Sequence, residues 1–158
     1  MIFSKDINEV IAVTEDAFST GVDASLSEWL SFEEMEREVG NGRGICIKAV
    51  DEGERIVGLI YADQERPVNG KEGVEKWVII LAAVLQIESG KGIGSLLLSE
   101  LEQIVRNKGG RKLFIFTNDG DDRVIEFYKK NGYVDAGRIQ DYQYGKDNSA
   151  VFLLKYLL

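Results

Sequence analysis

The sequence predicts a single α/β domain in which helices flank a mixed β-sheet. Apolar segments of strand length alternate with segments whose apolar residues recur at helical spacing. The chain has 158 residues, 44% of them hydrophobic, which is enough to bury one core. No repeat, low-complexity tract or linker divides residues 1–158 into separate domains.

The first part of the chain is predicted to be mainly helical. Ile2 and Phe3 indicate a short first strand. A helix begins near Asp6, because Asp6 and Glu9 fit a variant of the capping box. A second helical segment runs from about Ser25 to Val39, where apolar residues again recur at helical spacing.

Three strands then form a meander, followed by alternating helices and strands. Gly58 lies in the middle of the second strand and indicates a bulge or a close approach. A loop is predicted from Asp63 to Gly73, which contains the single proline. The predicted strands are 45–50, 55–62, 77–85, 112–116, 133–137 and 150–156, and the predicted later helices are 93–105 and 122–131.

The most informative stretch runs from Trp77 to Val105. A nearly unbroken apolar segment ends at Leu85, and glycines follow at alternate positions, at Gly90, Gly92 and Gly94. The physical interpretation is a strand followed by a glycine turn and a helix. The first turn of such a helix offers free N–H groups to an anion. The spacing does not fit a nucleotide-hydrolase phosphate loop or a dinucleotide-binding fingerprint.

This segment resembles the acyl-CoA-binding signature of the GNAT N-acetyltransferase superfamily. In that signature Arg or Gln is followed, after two residues, by Gly, any residue, and Gly or Ala. Gly92 and Gly94 match, whereas Ser89 stands where the family has Arg or Gln. The resemblance implies acetyl-CoA as cosubstrate and no metal. It implies binding by Val84, Leu85, Ser89, Gly90, Lys91, Gly92, Ile93, Gly94, Ser95, Asp121 and Tyr128.

A second motif, from Val124 to Tyr133, resembles the GNAT segment in which an aromatic pair precedes a basic stretch and a glycine. In many family members the tyrosine that matches Tyr128 protonates the departing thiolate of CoA. Asp121 stands one turn ahead of this helix, where the family often has Asn. The alternative for Tyr128 is a core tyrosine with a hydrogen-bonded hydroxyl.

The general base and the acceptor site are less defined. Some GNAT enzymes use a carboxylate near the start of the central strand. Glu75 is the nearest such group, and Glu88 before the glycine turn is a second candidate, although a solvated charge is the better fit to each. The candidate acceptor-binding residues are Trp29, Phe32, Asp141 and Tyr142, the first two of which also fit a core role.

Composition excludes several classes of function. The net charge of −8 argues against nucleic acid as a partner and favours a cationic substrate. The chain has no histidine, which excludes imidazole bases and catalytic triads. One cysteine, no apolar run of membrane-spanning length and no signal pattern at the N-terminus predict a cytoplasmic protein without a membrane partner.

The sequence therefore predicts an N-acetyltransferase that acts on a small-molecule or peptide amine by direct attack in a ternary complex, as a monomer or homodimer. Two alternatives are open. One is a non-catalytic acyl-CoA sensor on the same fold, since fold does not fix function. The other is an α/β interaction domain whose glycines only turn the chain.

Overall fold

The computed structural model describes residues 3–19, 30–65, 74–142 and 148–158. These ranges contain four helices and six strands. The helices are α1 (Phe3–Phe18), α2 (Phe32–Gly40), α3 (Ile93–Asn107) and α4 (Asp122–Lys130). The strands are β1 (Gly44–Val50), β2 (Ile56–Gln64), β3 (Lys76–Val84), β4 (Lys112–Asn118), β5 (Val134–Ile139) and β6 (Ala150–Tyr156). A short 3₁₀ turn, Gln86–Glu88, follows β3.

The strands form one mixed sheet in the order β1-β2-β3-β4-β6-β5. All neighbouring pairs are antiparallel except β3 and β4, which are parallel. Helices on both faces bury two apolar clusters, as expected for a sheet with apolar residues on both sides. One cluster joins the sheet to α3 and α4, and the other joins it to α1 and α2. The predicted fold class is confirmed.

A bulge at Ile80 reverses which residues of β3 point to each face of the sheet. Tyr61 pairs with Leu81 and Ala62 with Ile79, so Ile80 has no partner of its own in β2. Before the bulge Ile79 packs in the α3–α4 cluster, whereas Leu81, after it, packs in the α1–α2 cluster. Regular alternation would place both on one face. One extra residue therefore inverts the pattern in the second half of the strand.

Glu38 fixes α2 to the start of β1. Its carboxylate is buried and accepts from Arg43 Nε at 2.8 Å and Nη2 at 3.1 Å. Burial alone would raise the pKa of Glu38, but the Arg43 and Arg37 guanidiniums outweigh it and hold the pKa below its usual value.

Some predicted boundaries are wrong. Phe3 lies in α1 rather than in a strand. The capping box is not formed: Asp6 pairs with Lys48, while the Glu9 carboxylate accepts from the Ile56 N–H at 3.1 Å, so both residues hold α1 against the sheet. β2 continues to Gln64, two residues beyond its predicted end. The predicted start of the second helix, residues 25–29, and the stretch 66–73 lie outside the described residues. Within the described ranges, no helix is both long and apolar enough to span a bilayer.

Candidate functional site

The parallel strands β3 and β4 separate shortly after they begin. Only Lys76–Val78 of β3 pair with residues 112–114 of β4. Beyond that point β3 pairs with β2 as far as Val84, and β4 pairs with β6 as far as Asn118. The resulting wedge opens toward the carboxyl ends of both strands, which is where ligands bind in open α/β sheets. We call it the β3–β4 wedge.

The end of β3 presents free backbone groups to this wedge. The Leu85 N–H donates to the Val57 carbonyl at 2.9 Å, and the same register pairs Val84 with Gly58. Successive residues of an antiparallel pair direct their N–H and C=O groups to opposite sides. Val84 therefore directs both groups away from β2, while the N–H of Leu85 is already used within the sheet.

The predicted glycine turn lies at the mouth of the wedge. Gly90 and Gly92 have φ values of +80° and +85°, which residues with side chains rarely adopt. Among the described residues, no atom lies within 4 Å of a Cβ added at either position. Gly92 is the N-cap of α3 and provides no side-chain hydrogen bond, in contrast to Ser31 at α2 and Asp121 at α4. The first N–H groups of α3 are thus left open beside free space, as an anion site requires.

Gly94 has a different role from the other two glycines. A Cβ at this position would lie 3.2 Å from Phe127 Cζ, 3.3 Å from Phe127 Cε2 and 3.9 Å from Val84 Cγ2. Gly94 thus allows the first turn of α3 to pack against α4. Gly58 acts similarly, because its Cβ would lie 3.2 Å from Ile93 Cγ2. The predicted close approach at Gly58 is confirmed.

Among the described residues, the charged groups beside the glycine turn form an ion pair or cap a helix, with one exception. Lys91 is held by Glu88, with Nζ 2.8 Å from the carboxylate. The Asp121 carboxylate accepts from the Val124 N–H at 3.3 Å and caps α4. The exception is Arg123, whose guanidinium donates to the Ser89 hydroxyl at 3.0 Å. Sequence reasoning did not identify Arg123, because the contact joins residues 34 positions apart.

Tyr128 lies in the core beneath the turn. It is 1% exposed and belongs to the same cluster as Ile79 and Ile115, the first residues of β3 and β4 beyond their pairing. Its ring contacts those of Phe127 and Tyr133 edge-on, with centroids 5.0 and 5.2 Å apart. Its hydroxyl has no hydrogen-bond partner among the described residues. Burial raises the pKa of Tyr128, so the hydroxyl is protonated at neutral pH.

The two candidate bases lie at opposite ends of β3. Glu75 precedes the strand at its closed end and faces the Arg111 guanidinium at 3.8 Å. At about 3.3 Å per residue, it is roughly 30 Å from Val84. Glu88 lies on the 3₁₀ turn beside the glycines, where it binds Lys91.

The predicted acceptor residues are only partly brought together. Tyr142 is half-exposed and its ring meets Phe116 and Phe152 edge-on, with centroids 5.4 and 5.2 Å away. Asp141, exposed beside it, has a φ of +50°. Phe32, the first residue of α2, packs against the α1–α2 cluster. Trp29 lies outside the described residues.

Phe116 and Phe152 were not predicted as site residues. They are directly opposite each other in the β4–β6 register. Leu113 and Ile115, in the same strand as Phe116, belong to the α3–α4 cluster. The alternation of side chains along a strand therefore places Phe116 on the opposite face of the sheet. The strand pattern indicates a buried face but not which distant strand lies alongside, so the sequence provided no direct signal for this aromatic group.

Comparisons with known proteins agree on the type of domain. The sequence model described as the acetyltransferase (GNAT) family matches residues 9–133. A comparison with curated proteins found no match to this chain.

Solved structures give the same result for the fold. A ribosomal-protein-alanine N-acetyltransferase from Brucella melitensis is 21% identical, with a TM-score of 0.79 over 96% of this chain and 94% of its own. An N-acetyltransferase from Staphylococcus aureus Mu50 is 20% identical, with a TM-score of 0.78 over 98% and 94%. An aminoglycoside 6'-N-acetyltransferase complexed with coenzyme A is 20% identical, with a TM-score of 0.69 over 99% and 95%.

Proposed function

This chain belongs to the acetyltransferase (GNAT) family and is an acyltransferase, and we propose that it moves an acetyl group from acetyl-CoA to a primary amine by direct attack within a ternary complex. The observation that carries this proposal is the uncapped glycine turn at the mouth of the β3–β4 wedge. The turn offers backbone N–H groups to phosphate, and the wedge offers a channel for the rest of the cosubstrate.

The described residues fit acetyl-CoA in two further respects. Val84 directs its N–H and C=O toward the wedge, where they can pair with the amide groups of the pantetheine arm as an added strand would. The buried Tyr128 hydroxyl has no partner among the described residues, and a buried donor is costly unless a ligand or another group satisfies it.

In the proposed step acetyl-CoA supplies a thioester, which is an activated acyl donor. The nitrogen lone pair of the acceptor forms a bond to the acetyl carbon, and the carbon–sulfur bond breaks with its electrons remaining on sulfur. Tyr128 donates its hydroxyl proton to that sulfur. The attacking nitrogen releases one proton to water as it becomes an amide, and solvent restores the proton of Tyr128. The Val84 N–H stabilises the negative charge that develops on the carbonyl oxygen.

The acceptor must lose its proton before it attacks, because a lysine-like amine has a pKa of about 10.4. Glu75 forms an ion pair with Arg111 at the closed end of β3, and Glu88 forms one with Lys91 in the glycine turn. We therefore propose that neither is the base and that water takes the proton. On this basis kcat/KM rises with pH toward the pKa of the acceptor.

The proposed acceptor is cationic in bulk water. The net charge of −8 attracts such a molecule. The exposed edge of Tyr142, packed on Phe116 and Phe152 with Asp141 beside it, provides an aromatic and acidic surface for it. We also propose that the chain works as one domain in the cytoplasm, in keeping with its single cysteine.

The test is binding of acetyl-CoA by wild type and by Gly92→Asp, followed by release of free thiol with a panel of amines. Acetyl-CoA at 100 times its Kd should stabilise wild type by about 2.7 kcal/mol, a rise in Tm of about 5–10 °C for a chain of this size. Gly92→Asp should abolish the rise, because it places a carboxylate where phosphate binds.

Gly42→Asp is the matched control. Gly42 has a φ of +74°, and no atom of the described part of the chain lies within 4 Å of an added Cβ, so the substitution brings the same strain and charge to the turn between α2 and β1. It should lower the basal Tm similarly and leave the acetyl-CoA shift intact. Normal binding by folded Gly92→Asp would refute the site, and binding without turnover of any amine would refute the transfer reaction.

A further inference from the structure

Arg123 is the one cation at the glycine turn that is not matched by a carboxylate within the described residues. It is the second residue of α4, and its Nη2 donates to the Ser89 hydroxyl across 34 positions of sequence. Lys91, the cation within the turn itself, is neutralised by Glu88. The partner of Arg123 is a neutral hydroxyl, so its positive charge is directed at the turn without being cancelled there.

Its position is otherwise unfavourable. The N-terminus of a helix carries partial positive charge, so a cation in the first turn of α4 is repelled by the helix dipole. A guanidinium has five N–H donors in a planar fork that fits a phosphate with two parallel hydrogen bonds. One donor binds Ser89, and the others are left for an anion at the turn.

Ser89 is also the position at which the chain departs from the acyl-CoA signature, which has Arg or Gln there. A serine side chain is short and uncharged, so it cannot bring a positive charge to a phosphate. The Ser89 hydroxyl, however, binds the guanidinium of Arg123, so a positive group from α4 lies at the same place in the turn.

We propose that Arg123 supplies the guanidinium that binds the pyrophosphate of the acyl-CoA, and that Ser89 positions it over the glycine turn. This inference rests on the proposed function, because it requires acyl-CoA to bind at that turn. Two elements that are distant in sequence then share one phosphate site, with backbone N–H groups from α3 and a side chain from α4.

The test is calorimetric titration of wild type and Arg123→Ala with CoA and with dephospho-CoA, which lacks the 3'-phosphate and keeps the pyrophosphate. A charge-assisted hydrogen bond contributes enough that Kd for both ligands should rise roughly 10- to 100-fold. Arg123→Lys keeps the charge without the fork and should give a smaller loss. Arg111→Ala removes an exposed arginine at the closed end of β3 and should leave both Kd values unchanged.

Ser89→Arg introduced into Arg123→Ala should restore most of the lost affinity, because it returns a guanidinium to the turn from the other side. The unliganded Tm of each variant checks folding, and it should change little because Arg123 and Ser89 are exposed. Unchanged Kd values in folded Arg123→Ala, a loss confined to CoA, or a failed rescue would each overturn the inference. Failure of wild type to bind acetyl-CoA would instead refute the proposed function itself.

Discussion

The substitution Tyr128→Phe should lower activity and raise stability at the same time. The change deletes one oxygen and keeps the ring, which is buried against Phe127 and Tyr133. In the unliganded protein that oxygen is buried without a hydrogen-bond partner among the described residues. Its removal therefore relieves a desolvation cost while it deletes the proposed proton donor.

The two effects can be estimated separately. A buried, unsatisfied donor costs about 1–3 kcal/mol, so we expect a gain of about 1 kcal/mol in the free energy of unfolding. For a chain of this size that raises Tm by about 2–4 °C. A general acid contributes about 10²–10⁴-fold, and the low end applies because a thiolate is a tolerable leaving group. We expect kcat to fall about 100-fold, or roughly 2.7 kcal/mol in the activation barrier. The Kd for acetyl-CoA should rise only about 5-fold, because the ligand no longer satisfies a hydroxyl whose burial costs the unliganded protein about 1 kcal/mol.

Tyr133→Phe provides the matched control. Tyr133 is buried beside Tyr128, and burial together with the nearby Glu102 carboxylate raises the pKa of its hydroxyl, so unlike Tyr128 it has an acceptor close by. This variant should keep kcat, and it should gain less in Tm than Tyr128→Phe because it gives up the interaction with Glu102. The measurements are steady-state kinetics with thiol detection and calorimetric melting of the unliganded proteins. An unchanged kcat in Tyr128→Phe would refute the acid role, and a fall in Tm would show that the hydroxyl has a structural partner.

Three further predictions concern charge and protonation. Glu75→Gln and Glu88→Gln should each lower kcat/KM by less than about 3-fold, since both carboxylates are engaged in ion pairs; a loss of 100-fold in either would identify the base. Raising ionic strength should lower kcat/KM for a cationic acceptor, because the net charge of −8 is then screened, and equal rates at low and high salt would contradict steering. Glu38→Gln should cost about 3 kcal/mol in urea unfolding, because the Arg43 guanidinium loses its buried partner. Folding lowers the pKa of Glu38 below its unfolded value of 4.5. The carboxylate therefore contributes its full stabilisation above pH 4.5, and this contribution is lost as the pH falls through the folded pKa. Acid unfolding curves of the same shape in wild type and Glu38→Gln would argue against this pH dependence.

Much of the fold followed from local patterns. Apolar periodicity and glycine spacing identified α3, α4 and the strands around them, because a helix face or a tight turn is encoded by nearby residues. The bulge at Ile80 was missed, since the apolar run of β3 continues unchanged through it. The start of α1 was misplaced because Asp6 and Glu9 have the spacing of a cap but serve contacts with distant strands.

The candidate site was predictable to a similar extent. The turn glycines were identified by spacing, and Tyr128 by the motif that surrounds it. What the sequence did not contain was pairing across the chain, such as Arg123 with Ser89 or Phe116 with Phe152. The sequence also did not distinguish the roles of the glycines, because a glycine required for a positive φ and a glycine required for close packing are the same residue type.

The contact between Gly94 and Phe127 has a consequence for how mutational data on this protein are combined. Phe127 adjoins Tyr128 in sequence, and it touches the helix turn that would bind phosphate. Substitutions in contact with one another do not add, whereas those more than about 7–10 Å apart usually do. Affinity losses at the turn and rate losses at the tyrosine are therefore coupled quantities. Only a double-mutant cycle, with Gly94→Ala as one arm, apportions them correctly.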